Sequence, residues 1–218
     1  MSQTYDCSIS GAQSDAAERA RGINTAASAV EDGRLVVLPT DTLYGIGCDA
    51  FNPDAVRKLL AAKGRGPDMP VPVLVGSWDT IAGLVQFYTP QAQTLVRACW
   101  PGGLSIVMPQ APSLPWDLGN TYGSVMLRMP AHPVAIELLQ KTGPMAVSSA
   151  NISGQPPATT CQEAKDQLGE SVAVYLDGGT CAQRTPSTII DLTDRQPKIL
   201  REGAVPAEHL SEILGLEL

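Results

Sequence analysis

The sequence contains no apolar run approaching the roughly 18 residues that a membrane-crossing helix needs, so it offers no bilayer-spanning segment. Aromatics are scarce, at 5% of 218 residues. That leaves Ala, Val, Leu and Ile to fill the core, and it offers few stacking platforms to single-stranded nucleic acid. Positive charge is not in surplus either: the formal net charge is -7, whereas a protein that coats nucleic acid must neutralise phosphates with excess cations. Stable nucleic-acid binding is therefore not expected. Cys7, Cys48, Cys99, Cys161 and Cys181 are odd in number and scattered, with no C-x-x-C redox or zinc spacing. The two histidines, His132 and His209, lie far apart and suggest no metal constellation. No Gly-Lys-Ser/Thr occurs, which removes a Walker A loop. Residues 1–14 are polar and lack a basic-then-apolar signal pattern, so a cytoplasmic address is expected.

What is present fits a soluble globular chain: 44% hydrophobic and 17% charged residues. Ala16, Ala20, Ile23, Ala27 and Val30 recur near helical spacing and predict a helix over 14–32, ended by Gly33. Asn52-Pro53 reads as an N-cap and first-turn proline opening a helix to about residue 60. Further helices are expected over 90–98, 133–141, 161–167 and 206–214. Strands are expected over 35–38, 71–75, 104–108, 125–129, 145–148, 172–176 and 188–192. Because strands outnumber helices and some follow one another closely, the expected fold is α/β, a twisted mixed parallel/antiparallel sheet flanked by helices. Residues 1–13 read as an N-terminal extension and 14–218 as a single domain.

Several loops at strand ends carry chemistry. In Pro39-Thr-Asp-Thr-Leu-Tyr-Gly-Ile-Gly47 two hydroxyls, a carboxylate and a phenol crowd into five residues, with glycines that would let a ligand approach the backbone. A structural turn explains part of that density; a ligand site explains more of it. Gly45-x-Gly47-x-x-Ala50 mimics a dinucleotide fingerprint, but no helix opens from it and Asp68 precedes a strand instead of ending one. Lys63-Gly-Arg65 places two cations in a Gly/Pro-shaped loop that can aim both at one anion, or can simply be a solvated basic loop. Trp100-Pro-Gly-Gly is a turn feeding a strand. Arg128 ends an apolar strand, where it either pairs with a structural carboxylate or receives an anionic substrate. Ser148-Ser-Ala-Asn-Ile-Ser-Gly154 clusters small hydroxyl and amide groups suited to phosphate or ribose, or to an ordinary Asx/Ser turn. Pro186-Ser-Thr-Ile-Ile-Asp191 and Arg201-Glu-Gly203 complete the series.

In this order, from about Gly33 to Gly203, the segments resemble the YrdC family, whose members make threonylcarbamoyl-AMP. The shared motifs are P-T-D/E-T-x-Y-G, K-x-R, W-P-G, R-x-P, S-A-N-x-S-G and S-T-[VI]. The resemblance implies a YrdC-like sheet with a concave, positive face. It also implies residue roles. Thr42, Arg128, Val147 and Ser187 match positions that hold L-threonine. Arg65, Met69, Ser124, Ser149, Pro157 and Arg201 match positions around ATP, and Lys63 joins Arg65 as a catalytic cation. Three of these sites depart from the family habit: Met69 stands where Asn is common, Pro157 where Ser is, and Leu74 where His is.

The implied reaction joins L-threonine, bicarbonate and ATP, with Mg2+ accompanying the nucleotide, and needs no protein nucleophile. Its product would pass to tRNA threonylcarbamoyl transferase machinery. Two other readings stand beside it: an RNA-binding or ribosome-maturation factor, including one for double-stranded RNA, and a carbamoyltransferase module of the hydrogenase-maturation type. Low aromatic content and acidity weigh against the first. The second normally travels with zinc-finger and acylphosphatase-like segments, which are not found here.

Overall fold

A computed structural model of the chain describes residues 1–8 and 15–218. In chain order it forms β1 (Gln3–Asp6), α1 (Ala16–Glu31), β2 (Val36–Leu38), β3 (Gly45–Asp49), α2 (Pro53–Ala62), β4 (Val73–Leu74), α3 (Ile81–Leu84) and α4 (Pro90–Cys99). There follow β5 (Leu104–Pro109), β6 (Ser124–Arg128), α5 (Pro133–Thr142), β7 (Met145–Ser149), α6 (Cys161–Leu168), β8 (Val174–Asp177), β9 (Thr188–Asp191), β10 (Lys198–Arg201) and α7 (Ala207–Leu214). Among the described residues no helix is long and apolar enough to cross a membrane.

All ten strands join one sheet in the order β1-β8-β2-β3-β7-β4-β6-β5-β9-β10. Parallel pairs (β1/β8, β2/β8, β4/β6, β5/β9) mix with antiparallel ones, as the close spacing of strands in the sequence predicts. Local chemistry sets the boundaries. Asn52 caps α2 through Ala55 N with Pro53 in the first turn. Asp15 caps α1, so the helix starts two residues later than predicted, and Ser14 lies outside the described residues. Strand β4 is only two residues long because Pro70 and Pro72 have no N–H to give the ladder. Pro72 still contributes its carbonyl, which accepts from Val147 N at 2.9 Å. Part of the expected N-terminal extension is strand: Gln3–Asp6 pair in parallel with β8.

Alternation along the strands sends side chains to two cores. Val37, Ile46, Ala146, Leu104, Ile106, Leu127 and Ile190 face one core, which includes buried residues of α2, α4 and α6. Val36, Leu38, Met145, Val147 and Leu176 face the other, against α1 and α5. Helix α1 lies against β1, β8, β2 and β3, and α5 packs beside α1. Over β4, β6, β5 and β9 the same face carries Leu74, Arg128, Ser105 and Ile189 and borders a cavity instead.

Candidate active site

The cavity encloses about 620 Å³. Its first wall is the loop between β2 and β3. Thr40 Oγ1 donates to Leu43 O at 2.6 Å and accepts from the Thr42 and Leu43 amides, which closes the turn and turns Thr42 toward the cavity. Arg128, at the end of β6, is 7% exposed and fully engaged on one side. Its Nε donates to Gly102 O at 2.8 Å, Nη1 to Thr42 Oγ1 at 2.8 Å and Nη2 to Asp41 Oδ1 at 2.6 Å. Of the two sequence options for Arg128, the structural carboxylate is present, and the side chain still lines the cavity. Burial lowers the Arg128 pKa while Asp41 pulls it back up.

The Trp100-Pro-Gly-Gly turn supplies that Gly102 carbonyl. Trp100 is buried and donates Nε1–H to Leu104 O at 2.8 Å, so it belongs to the core. Gly103 lies where a Cβ would come within 2.6 Å of Ala204 and 3.5 Å of Thr42, so the turn can pass close behind the site. Opposite, Ser187 is held between Ser105 Oγ at 2.9 Å and Arg201, whose Nη2 donates to Ser187 O at 2.7 Å and Ser187 Oγ at 3.2 Å. Val147 forms the floor. It sits directly over β3, where a Cβ on Gly45 would meet its Cγ1 at 2.6 Å and one on Gly47 its Cγ2 at 2.9 Å. The glycine pair therefore makes room for Val147 within the sheet, and Gly45 also lines the cavity.

The third wall brings a correction. Arg65 lines the cavity, loosely tied by Nε to Ser153 Oγ at 3.3 Å and by Nη1 to Ser148 Oγ at 3.4 Å. Lys63 does not aim at the same space. It is fully buried, with Nζ donating to Ser149 O and, at 2.7 Å, to Asn151 O. Burial, followed by the repulsion of Arg65, lowers its pKa from the ordinary 10.5 to about 7. The cause of the separation is local: Lys63 ends α2, and Gly64 follows in the left-handed region at φ 63, which reverses the chain between the two cations.

Thr42, Arg65, Met69, Arg128, Val147, Ser149, Pro157, Ser187 and Arg201 all line this one cavity. Ser124 lines an adjoining one of about 550 Å³, which shares Asp68, Pro70 and Met126 with the first. Leu74 and Pro72 are on the wall. The sequence reading missed Asp41 as the partner of Arg128 and Ser105 as the partner of Ser187. Ser105 carried a usable signal, a lone hydroxyl inside the apolar strand Leu104–Pro109. Three guanidinium groups and one carboxylate, Asp68, line the cavity of this chain of net charge -7, and a second carboxylate, Asp41, is paired with Arg128 behind the wall.

Among the described residues lining the cavity there is no cysteine or histidine. Four of the five cysteines are buried, and burial pushes Cys7, Cys48 and Cys161 up to about 12 and Cys181 to about 11. Tyr44, from the same loop as Thr42, is also inward: its Oη donates to Gly179 O at 2.6 Å and accepts from Gly178 N at 3.0 Å. These groups build the frame and offer no nucleophile.

Known proteins share the sequence and the fold of this chain. The Sua5/YciO/YrdC family model, described as telomere recombination, matches residues 28–203. A Mycobacterium tuberculosis protein with a provisional threonylcarbamoyl-AMP synthase name is 58% identical over 217 residues, covering 100% of this chain and 97% of that protein. The threonylcarbamoyl-AMP synthase of Pyrococcus abyssi is 34% identical over 194 residues, 88% of this chain and 57% of that one. The crystal structure of P. abyssi Sua5 complexed with L-threonine superposes with a TM-score of 0.89 at 30% identity, covering 99% of this chain and 61% of that chain.

Proposed function

The chain belongs to the Sua5/YciO/YrdC family, and from that premise we propose that it is a threonylcarbamoyl-AMP synthase. It joins L-threonine, bicarbonate and ATP, releases pyrophosphate, and supplies the product for tRNA modification. One observation carries the reading. A single cavity of about 620 Å³ is lined by Thr42, Arg128, Val147 and Ser187 together with the cations Arg65 and Arg201, and we assign the first four to an amino-acid recess.

In this proposal the threonine carboxylate meets the N–H groups that Arg128 has left over, and Thr42 and Ser187 meet its polar groups. A guanidinium suits that task because its planar fork can grip a carboxylate with two bonds. The amine nitrogen bonds to the carbon of bicarbonate with loss of water. A carbamate oxygen then bonds to the α-phosphorus of ATP, and the bond from that phosphorus to the bridging oxygen of the β-phosphate breaks, expelling pyrophosphate. Arg65 and Arg201 offer fixed positive charge to the polyphosphate, and the chain's contribution is positioning and electrostatics. Ser124, in the adjoining cavity, is assigned to the nucleoside end of ATP, and Met69 and Pro157 to the walls beside it.

Magnesium enters with the nucleotide. Among the described residues no group of three metal-ligating side chains could hold it alone, which suits an ion bound mainly through phosphates and water. Asp68 is the carboxylate on the cavity wall that could join its shell. The proposed substrates and the downstream transferase machinery fit a cytoplasmic enzyme.

The test is pyrophosphate release by the purified chain with ATP and magnesium. Release that depends on both threonine and bicarbonate is expected. Tight RNA binding with no pyrophosphate under those conditions would overturn the reading in favour of an RNA-binding factor.

A further inference from the structure

Asp41 is 8% exposed and does not line the cavity, yet it is bonded to the side chain that dominates the amino-acid recess. Its Oδ1 accepts from Arg128 Nη2 at 2.6 Å and from Ala131 N at 2.9 Å, which anchors the carboxylate to the backbone just past β6. Its own backbone carbonyl accepts from Gln183 N at 3.1 Å. Oδ2 is buried and has no partner among the described residues. As glue, this is a poor design: removing a carboxylate from water and leaving one oxygen unpaired is costly, and an apolar pair of the same volume would often hold the fold as well. What an apolar pair could not do is fix the plane of a guanidinium.

A guanidinium has five N–H donors. Gly102 O, Thr42 Oγ1 and Asp41 Oδ1 take three, from Nε, Nη1 and Nη2 respectively. Among the described residues, each terminal nitrogen is thus held by one bond and keeps one N–H over. Without Asp41, Nη2 loses its one acceptor among those residues and the group can tilt about the remaining two contacts.

We propose that Asp41 is a positioning residue, which orients the two remaining N–H groups of Arg128 toward the carboxylate of the amino-acid substrate. The inference rests on the synthase reading for the identity of that substrate. Electrostatics makes it sharply testable, because the two effects of Asp41 on an anionic ligand have opposite signs. As a mere counter-charge, Asp41 weakens the attraction of Arg128 for a carboxylate, so its removal would tighten threonine. As a positioning group, its removal loosens threonine.

The experiment measures KM for threonine and for ATP, kcat and melting temperature for wild type, Asp41→Ala and Asp41→Glu, together with threonine binding by calorimetry. Asp41→Ala removes the acceptor along with the charge and is expected to raise the threonine KM about tenfold or more, the size of one well-placed hydrogen bond, with the ATP KM unchanged. Asp41→Glu keeps the charge but shifts it by one methylene, so its threonine KM should fall between the other two. It carries the test even if the Ala variant does not fold. A lower threonine KM in either variant, equal shifts in both KM values, or a lowered melting temperature with unchanged KM overturns the positioning role. If wild type releases no pyrophosphate but binds threonine with this Asp41 dependence, the synthase reading fails and the positioning role stands. If wild type turns over normally and threonine ignores Asp41, the reverse holds.

Discussion

Lys63 and Arg65 are separated by one glycine and occupy opposite environments, so substitutions at the two should fail in different ways. Arg65 makes two long bonds to hydroxyls, at 3.3 and 3.4 Å, which contribute little to the fold. Charge-assisted bonds to a developing phosphoryl charge are worth about 1.5–3 kcal/mol each, so Arg65→Ala should lower kcat/KM by about 10² to 10⁴ with no loss of melting temperature. Arg65→Lys should recover part of it, since an ammonium brings charge without the fork. Lys63→Met should instead release the Ser149 and Asn151 carbonyls and lower stability along with activity. The pH dependence identifies it. Between about pH 7 and 10.5 the unfolded chain holds a proton on Lys63 that the folded chain has released. Unfolding takes up that proton, so this site's contribution to stability rises with pH across the window. The buried thiols act in the opposite sense above about pH 9, because the folded state keeps their protons. The difference between wild-type and Lys63→Met denaturation curves isolates the lysine. A difference that does not change from pH 7 to 9 would refute its role as a buried, depressed-pKa anchor.

At the scale of elements, the longer helices and most strands were legible because capping residues and apolar periodicity mark them, whereas the single-turn, uncapped α3 was not. Asn52-Pro53 opens α2 as read, and Leu104–Pro109 and Thr188–Asp191 fall where predicted. Strand β3 was not legible. Its sequence, Gly-Ile-Gly-Cys-Asp, has one β-branched residue and two glycines, and only the tertiary neighbour explains them: Val147 on β7 fills the space their side chains would occupy. The edge strands β1 and β10 are short and largely exposed, so they lack the apolar alternation that reveals a strand. The β3–β7 contact has a measurable consequence. Gly45→Ala would push a methyl into Val147 Cγ1, at a cost of about 1–3 kcal/mol for overpacking, and would displace the floor of the amino-acid recess. The variant should melt at lower temperature and show a raised threonine KM. Adding Val147→Ala should return the melting temperature most of the way, because the clash is with that side chain. If the double variant is no more stable than Gly45→Ala alone, the glycine is not there for Val147.

For the whole molecule, the site was legible as a set of loops but not as a charge distribution. Most of the motifs lie at strand ends, and Lys63-Gly-Arg65 at the end of α2; their convergence follows once the sheet order sets β2, β7, β6 and β9 on alternate positions of one sheet, and sheet order is a non-local property that no single motif carries. Composition suggested an acidic protein; the fold places Arg65, Arg128 and Arg201 around one cavity of that protein. The two fields act over different distances. A chain of this length has a radius of gyration of about 17 Å. At about 10 mM salt the screening length is about 30 Å, so an approaching nucleotide feels the net charge of -7, whereas at about 150 mM it is about 8 Å and the nearby guanidinium groups dominate. Moderate salt should therefore raise kcat/KM for ATP, at fixed free magnesium, before higher salt weakens the local contacts. Phosphate-binding surfaces on basic proteins do the opposite and lose affinity steadily from the lowest salt upward. Steady-state kinetics from about 10 to 300 mM potassium chloride decides between them: a maximum at intermediate salt fits an arginine-lined cavity in an acidic body, and a monotonic fall from the start would mean that nucleotide capture is governed by the guanidinium cluster alone.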